Sequence, residues 1–410
     1  MTSRPTEARE RALIAILFAT WGFVFLDRMA VLYLAPFLVR DLHLDAGQVG
    51  LLAGAIAISW ALSALVFGAV SDRLGRKTVL VPMVVAFSVL SAACGLAQNF
   101  EQLLVLRILL GVAEGPCWSV MMALVEENSS PEHRGRNVGI VVGAAAIVGL
   151  AAAPVLTTQI AAHWGWRPAF YVAGVPGLVL AALIGLFVRE PARQRTRSQS
   201  ARGAWTMMST VAKSGNVWAC AAGAVGVMAW LFLINAFGPL YITEAAHQAA
   251  TTAGLLMGAA GLGSFLIGLA GPALSDRFGR RPVLAIHALI SIVLPLALLA
   301  LPLYRTVWLL AGVLFLTQGG QAISAICIVL IPTASVPKNL AATAIGFTTL
   351  FGEIFGGCLA PLVAGSLAER YGIGTPLWMA AGAALLVFVA ALVIHPAPEA
   401  RRELSAQLTD

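Results

Sequence analysis

The chain has 410 residues, of which 59% are hydrophobic and only 11% are charged. Soluble globular proteins carry about 25% charged residues, so this chain lacks the polar surface of a water-soluble protein. The formal net charge of +7 does not indicate a nucleic-acid partner, because the basic residues fall in short clusters between apolar runs and not on one face. The composition predicts an integral membrane protein whose surface is in contact with lipid.

Long apolar runs follow one another along almost the whole chain. A helix needs about 20 apolar residues to cross a bilayer. Apolar residues follow one another in these runs and do not alternate with polar ones, as they would in the strands of a membrane barrel. We therefore expect an all-α polytopic membrane protein. Its twelve transmembrane helices, numbered here as spans 1 to 12, are predicted at residues 13–39, 47–70, 78–98, 101–125, 137–161, 167–188, 217–243, 252–274, 282–303, 306–331, 340–367 and 375–395.

The distribution of Lys and Arg predicts the orientation of these spans. Of the 26 residues of these two types, 20 lie on the side of the two chain ends and two lie inside spans. The opposite side holds only 4, namely Arg40, Arg167, Arg305 and Arg370. Because basic residues concentrate on the cytoplasmic side of membrane proteins, we expect both termini in the cytoplasm of a bacterium and the spans in its inner membrane.

The longest polar stretch divides six spans from six. We expect an N-terminal six-helix bundle at 1–189, a cytoplasmic linker at 190–215, a C-terminal six-helix bundle at 216–396 and a cytoplasmic tail at 397–410. A repeat supports this division, because residues 68–77 read GAVSDRLGRK and residues 272–281 read PALSDRFGRR, each after the second span of its half. A duplicated six-span unit is the architecture expected of a transporter built from two halves.

The residues of this repeated motif have physical roles that suit a loop between two spans. Gly68 lets a neighbouring helix approach closely, and Gly75 supplies a turn. Asp72, at the cytoplasmic end of span 2, is predicted to bind backbone amides or an arginine, with Arg134 and Arg136 as candidate partners. We expect conformational gating to depend on Gly68, Asp72, Arg73, Gly75, Arg76, Lys77, Arg134, Arg136, Asp276, Arg277 and Arg280.

The motif resembles the signature loop of the major facilitator superfamily, although Pro272 replaces the first glycine in the second copy. The resemblance covers the whole chain through span count, halves and orientation, and it implies a substrate cavity at the bilayer midplane between the halves. Span 4 carries a second pattern of this superfamily, Arg107-x-x-x-Gly111-x-x-x-Gly115, whose glycines allow tight helix contact. Span 5 offers only Pro154 in place of the glycine-proline motif of the antiporters, which favours symport or uniport.

Five Asp, Glu and Arg side chains lie away from the ends of the predicted spans: Asp27 and Arg28 in span 1, Arg107 and Glu114 in span 4, and Glu353 in span 11. A charge inside the bilayer is costly unless it is paired or hydrated, so such residues normally face a polar cavity. A structural alternative is a set of two ion pairs that lock spans 1 and 4 together. The concentration of two cations and two carboxylates on two spans of one half favours a function.

The four charged residues of spans 1 and 4 resemble a quartet of the anion:cation symporter family, whose members move sugar acids and other organic anions with protons. The segments GVAEGP at 111–116, RGR at 134–136 and WRPAFYVAGVPGLVL at 166–180 are also similar to that family. Spinster-type transporters share much of the pattern, so a proton-coupled lipid or lysolipid transporter stays open. A sensor or membrane-bound enzyme is less favoured, because the sequence shows no large soluble domain, nucleophile–base pair or metal-ligand set.

We therefore expect a monomeric secondary active transporter, not an enzyme, that works by alternating access and uses the proton as coupling ion without a cofactor. Arg28 and Arg107 are predicted to bind a substrate carboxylate, because planar guanidinium groups match its geometry. Proton coupling is assigned to Asp27, Glu114 and Glu353. Further residues that either line the cavity or only join helices are Asn235, Gln318, Gln321 and Trp118.

Overall fold

The computed structural model describes residues 7–130, 132–188, 207–300, 307–337 and 340–395. Within these ranges the chain is helical and contains no strand, and the predicted number of twelve membrane-spanning helices is confirmed. Spans 1 to 12 are Glu7–Tyr33, Ala46–Leu74, Arg76–Cys94, Phe100–Asn128, Arg134–Trp164, Arg167–Phe187, Gly215–Glu244, Ala250–Phe278, Arg280–Ala300, Val307–Ala334, Thr343–Tyr371 and Thr375–Val393.

The predicted end of span 1 at residue 39 is wrong. The helix ends at Tyr33, and a separate short helix, Ala35–Leu42, follows it. Pro36 explains the break, because proline has no backbone donor and is favoured in the first turn of a new helix. Trp166 and Arg167 donate to the carboxylate of Asp41 at 2.8 and 2.9 Å, tie this short helix to span 6 and lower the pKa of Asp41.

The glycines of span 4 make the tight helix contact that the sequence pattern predicts, and the structure shows that the partner is span 2. A Cβ atom at Gly111 would overlap with Ser59, and one at Gly115 would overlap with the backbone of Trp60. Only glycine permits this approach of two helix backbones. The close contact leaves Arg107, one turn earlier on span 4, free to reach span 1.

The loops that carry the repeated motif have the same construction in both halves. Gly75 and Gly279 have φ angles of 111° and 88°, which residues with a side chain rarely adopt. Arg76 donates to Glu127 of span 4 at 3.2 Å, and Arg280 donates to the carbonyl of Leu330 in span 10 at 2.5 Å. Each loop is thus fastened to the fourth span of its own half.

The remaining predicted gating residues lie around these two loops. Arg134 and Arg136 are exposed in the first turn of span 5, and Asp276 and Arg277 end span 8. The side-chain surroundings of Gly68 and Asp72 lie outside the described part of the structure. The predicted partnership of Asp72 with an arginine therefore stays a prediction.

The two halves meet closely on the side opposite the chain ends, which we call the distal side. Spans 2 and 11 touch there, because a Cβ at Gly50 would overlap with the backbone of Pro361. Spans 5 and 8 touch in the same way, because a Cβ at Gly254 would overlap with Thr158. The backbone N–H of Gly47 also donates to Glu369 across the halves at 2.7 Å. The distal side is closed.

Spans 5 and 11 have open space beside them on the side of the chain ends, which we call the proximal side. A Cβ at Gly139 of span 5 or at Gly346 of span 11 would meet no described atom within 4 Å. One turn deeper in span 5, a Cβ at Gly143 would lie 3.4 Å from Phe265 of span 8, in the other half. Along span 5, contact with the other half is therefore seen at Gly143 and not at Gly139.

Spans 5, 10 and 11 each contain a wide, π-helical segment, at Ala145–Ala152, Ala325–Leu330 and Gly352–Leu359. Such segments are rare and occur mostly where a helix contributes to a functional site. A Cβ at Gly261 of span 8 would overlap with Leu150, within the segment of span 5, and Glu353 lies within the segment of span 11. The segments of spans 5 and 11 thus lie where the halves meet.

Candidate functional site

Asp27 and Arg107 form a buried ion pair between spans 1 and 4. Nη1 of Arg107 lies 3.4 Å from Oδ2 of Asp27, and both side chains are 0% exposed. The same guanidinium group donates to the backbone carbonyls of Asp27 and Arg28 at 3.2 and 2.8 Å, while Ser91 of span 3 donates to the second Asp27 oxygen. Arg107 thus holds both the carboxylate and the backbone of span 1.

Arg28 points in the opposite direction, toward the C-terminal half. Its Nη2 atom lies 2.7 Å from Oε2 of Glu353, with side-chain exposures of 4% and 7%. The guanidinium carbon lies 5.1 Å from the ring centroid of Trp60 and 5.2 Å from that of Phe232, distances at which a cation is attracted to an aromatic face. An ion pair flanked by one aromatic ring from each half therefore joins the two halves.

Glu114 is completely buried, and no described donor hydrogen-bonds to its oxygens, but its carboxyl group lies within hydrogen-bond reach of the carboxyl group of Asp27. The charged groups near enough to act on it are Asp27, Arg107 and Arg28. Arg107, two turns earlier on the same helix, bonds to span 1 instead. Of the two ion pairs that the structural alternative requires, the pair of Asp27 with Arg107 is therefore present, whereas Arg28 pairs with Glu353 and not with Glu114.

The family follows from the sequence of nearly the whole chain. Residues 16–361 match the family model of the Major Facilitator Superfamily. The chain belongs to this superfamily. It is a membrane transporter and not an enzyme, as the sequence predicts, and its pseudo-repeated halves and twelve spans are those of its family.

Individual members of the superfamily match different shares of the chain. It is 30% identical over 405 residues to the 3-(3-hydroxy-phenyl)propionate transporter of Escherichia coli (strain K12), covering 93% of each chain. It is 32% identical over 189 residues to the hexuronate transporter of Bacillus subtilis (strain 168), covering 46% of this chain and 44% of that one. Its fold is similar to that of a bacterial homolog to the human lysosomal transporter Spinster in an inward-facing conformation, with a TM-score of 0.76, 18% identity and coverage of 95% and 98%.

Of the other predicted cavity residues of this transporter, Asn235 and Trp118 have clear partners. The hydroxyl of Tyr33 donates to Oδ1 of Asn235 at 2.7 Å, which links spans 1 and 7 across the halves. Trp118 packs against Trp21, with ring centroids 4.8 Å apart. Both residues therefore join helices near the charged cluster, whatever further role they have.

The two glutamines of span 10 lie where its helix is interrupted. The regular helix ends at Thr317 and begins again at Gly320. The side chain of Gln318 is buried, and its Oε1 atom has no partner in the described part of the chain. The side chain of Gln321 lies outside the described structure. A break of this kind inside a span is tolerated only where protein or a cavity surrounds it.

Sequence reasoning missed four residues of the site: Tyr33, Trp60, Ser91 and Phe232. The charged residues of the site were recognised in the sequence because a buried charge is costly. These four residues carry no charge and give no such signal. Tyr33 and Trp60 did offer a weaker signal, because each places a hydrogen-bonding group inside an apolar run. Ser91 and Phe232 offered none, since serine and phenylalanine are ordinary in membrane helices.

Proposed function

We propose that this transporter moves a small organic anion bearing a carboxylate across a bacterial inner membrane, together with protons and by alternating access. The observation that carries the proposal is Arg28, a cation held at the boundary of the halves in almost dry surroundings. Transfer of a cation from water into the membrane interior costs free energy. An apolar side chain at this position would pack without that cost, so the presence of arginine favours a role in binding. The substrates after which the similar transporters are named, 3-(3-hydroxy-phenyl)propionate and hexuronate, both carry a carboxylate.

Arg28 and Arg107 have different roles in anion binding in this proposal. Arg107 donates to Asp27 and to two backbone carbonyls, so it orients the segment of span 1 that bears Arg28. The guanidinium group of Arg28 then receives the substrate carboxylate, for which its planar fork is suited. The aromatic faces of Trp60 and Phe232 favour a flat, unsaturated or aromatic acid over a sugar acid.

Glu114 and Asp27 carry the proton in this proposal. A buried carboxyl group without a hydrogen-bond donor is more stable in its neutral form, whereas an arginine partner favours the carboxylate. Glu114 has no described donor, and Asp27 has Arg107 as its partner. Movement of the halves would change water access to both groups and their distance from Arg107. Such movement couples proton release to substrate release.

The conformation of the carrier fits the inward-facing step of such a cycle. With both termini in the cytoplasm, the open proximal side faces the cytoplasm and the closed distal side faces the periplasm. Substrate and proton would leave toward the cytoplasm from this arrangement. The return step requires the contacts of spans 2 and 11 and of spans 5 and 8 to open while the proximal ends close.

Uptake into proteoliposomes tests the proposal. Purified transporter should accumulate radiolabelled 3-(3-hydroxyphenyl)propionate, or a hexuronate, under an imposed inward proton gradient. Arg28→Ala should abolish accumulation, since loss of one partner of a buried charged contact costs about 2–5 kcal/mol. Arg167→Ala is the matched control, because Arg167 binds Asp41 on the exposed distal surface. Uptake of lysophospholipids but of no carboxylate would overturn the proposal and favour the Spinster-type alternative.

A further inference from the structure

We propose that Glu353 is an internal competitor of the substrate. In the empty carrier its carboxylate occupies the anion subsite on Arg28, and the carboxylate of the substrate must displace it. This inference rests on the proposed function and adds to it the residue that sets the affinity. It also supplies a physical link between substrate binding and the separation of the two halves.

The first observation is that Glu353 uses the subsite incompletely. Its Oε2 atom bonds to Nη2 of Arg28 at 2.7 Å, whereas Nε of Arg28 is buried and has no partner among the described residues. A free carboxylate can take up two parallel bonds with a guanidinium group. A substrate that reaches both Nε and Nη2 therefore satisfies a donor that Glu353 leaves unused, which gives the substrate an advantage over the internal carboxylate.

The second observation is that Glu353 lies in an irregular part of its helix. It lies in the π-helical segment Gly352–Leu359 of span 11, which contains three glycines. Its Oε2 atom lies 3.0 Å from the place that a Cβ of Gly357 would occupy, so the side chain lies along its own helix over a residue without a side chain. Wide helical segments interrupt the regular hydrogen-bond ladder and are adjustable. A small rotation would therefore free Arg28 without unfolding the span.

The third observation is that this contact joins the halves. The other described polar contacts that cross between them near the cluster and at the distal side are Tyr33 with Asn235 and Gly47 with Glu369. Substrate binding at Arg28 would remove the only one of these three that pairs two opposite charges. A ligand shifts a conformational equilibrium by its differential affinity for the two states. Displacement of Glu353 provides that difference, because it releases span 11 from span 1.

The decisive experiment compares the affinity of Glu353→Gln with that of the wild type. Binding of 3-(3-hydroxyphenyl)propionate and of galacturonate to the purified carriers is measured by isothermal titration calorimetry. If Glu353 holds Arg28 in about nine-tenths of the molecules, its removal raises the apparent affinity about tenfold. Glu353→Asp keeps the charge but shortens the side chain by one methylene, so its affinity should lie between those of the wild type and Glu353→Gln.

Glu369→Gln is the matched control, because Glu369 also contacts the other half but lies far from Arg28, at the distal end of span 11. It should bind the acid with wild-type affinity. Wild-type binding with an equal or weaker affinity in Glu353→Gln overturns the inference and leaves the proposed function intact. An equal gain in Glu369→Gln also overturns it, since the gain would then come from loosened halves. Failure of every carrier to bind any carboxylate overturns both the inference and the proposed function.

If Glu353→Gln is not recovered as a monodisperse protein, infrared difference spectroscopy of the wild type decides the question. Substrate binding should change the carboxylate absorption of a protein side chain, because Glu353 loses its guanidinium partner. Isotopic labelling of the substrate carboxylate separates the two signals. The protein signal should be retained in Glu369→Gln. Substrate binding to the wild type without any such protein signal overturns the inference.

Discussion

Asp27 and Glu114 are equally buried, but only Asp27 receives hydrogen bonds from described donors. Asp27 accepts hydrogen bonds from Arg107 and Ser91, whereas both oxygens of Glu114 are without a described donor. A buried carboxylate with partners stabilises the fold through them, and its removal leaves an unpaired cation. Glu114 has no paired cation and no described donor, so its replacement by glutamine breaks no ion pair. The two residues should therefore respond differently to the same chemical change.

We predict that Glu114→Gln leaves the transporter folded but abolishes uphill uptake driven by a proton gradient. Glutamine keeps the size of the protonated carboxyl group and fixes the site in its neutral form, so exchange of labelled for unlabelled substrate should persist. Uptake and counterflow in the same proteoliposomes measure both properties. Accumulation of substrate by Glu114→Gln under the gradient would remove Glu114 from the coupling mechanism.

We predict that Asp27→Asn, in contrast, destabilises the fold by about 3–5 kcal/mol, because it leaves Arg107 buried beside a neutral side chain. Thermal unfolding in detergent should show a clear fall in the midpoint for this variant and a much smaller one for Glu114→Gln. If the variant is recovered in lipid, it should also lose pH-driven uptake. Equal thermal stability of the two variants would contradict the different roles that their contacts imply.

The aromatic residues beside Arg28 should decide which carboxylates bind. We predict that Trp60→Ala weakens binding of an aromatic acid by up to about tenfold, because contacts of aromatic rings are worth about 0.5–1.5 kcal/mol beyond area burial. Binding of a sugar acid should change less. Trp164→Ala, which removes a highly exposed tryptophan from the distal end of span 5, is the control. Equal losses for both acids would exclude a stacking role for Trp60.

The charged residues of the site can be found from the sequence, but their partners cannot. Burial of a charge is costly in any membrane protein, so Arg28 and Glu353 are conspicuous within their apolar runs. Their pairing is hidden because 325 positions separate them, and it depends on how the halves approach each other. Arg107 pairs with Asp27 of span 1 and not with Glu114 of its own helix. This pairing likewise depends on how span 4 is rotated relative to span 1.

At the scale of helices, two glycine-lined contacts keep the distal side closed. Gly50 of span 2 packs on Pro361 of span 11, and Gly254 of span 8 packs on Thr158 of span 5. Long apolar runs reveal that these helices exist, because length and hydropathy determine a span. The end of span 1 at Tyr33 and the wide segments of spans 5 and 11 are not evident from the sequence, since local breaks depend on packing as well as on composition.

We predict that Gly50→Val shifts the carrier away from the conformation in which the distal side is closed. A side chain at Gly50 would overlap with the backbone of Pro361, and backbone cannot move aside as a flexible side chain can. A penalty of about 1.4 kcal/mol changes a population ratio tenfold, so accessibility from the distal side should rise at least that much. Gly382→Val is the control, because a Cβ at this exposed position of span 12 would meet no described atom within 4 Å. Unchanged accessibility in Gly50→Val would mean that spans 2 and 11 do not close the distal side.

At the scale of the molecule, the repeat predicts the division into halves, and the structure adds which ends of the halves touch. The distal contacts use glycines, whose small size permits close approach, while the proximal ends of spans 5 and 11 present Gly139 and Gly346 to open space. Sequence alone cannot distinguish these two uses of glycine. A residue that allows contact in one conformation also leaves a gap in another, and both conformations must be compatible with one sequence.

The last prediction concerns the side from which the cavity opens. In a carrier whose partly exposed Cys358 is replaced by serine, we introduce Gly139→Cys, Gly346→Cys or Thr158→Cys. Because both termini are expected in the cytoplasm, a membrane-impermeant thiol reagent should label the first two positions in inside-out vesicles and not in right-side-out cells. Thr158 is buried against Gly254, so its variant should label slowly from either side. A transported carboxylate together with a proton gradient should slow labelling at 139 and 346 and accelerate labelling at 158 from the periplasm, because one movement closes the proximal ends and opens the distal ones. Rapid labelling at 139 and 346 from the periplasm would reverse the assigned orientation. If the labelling rates at these two positions and at 158 never change in opposite directions, alternating access is excluded.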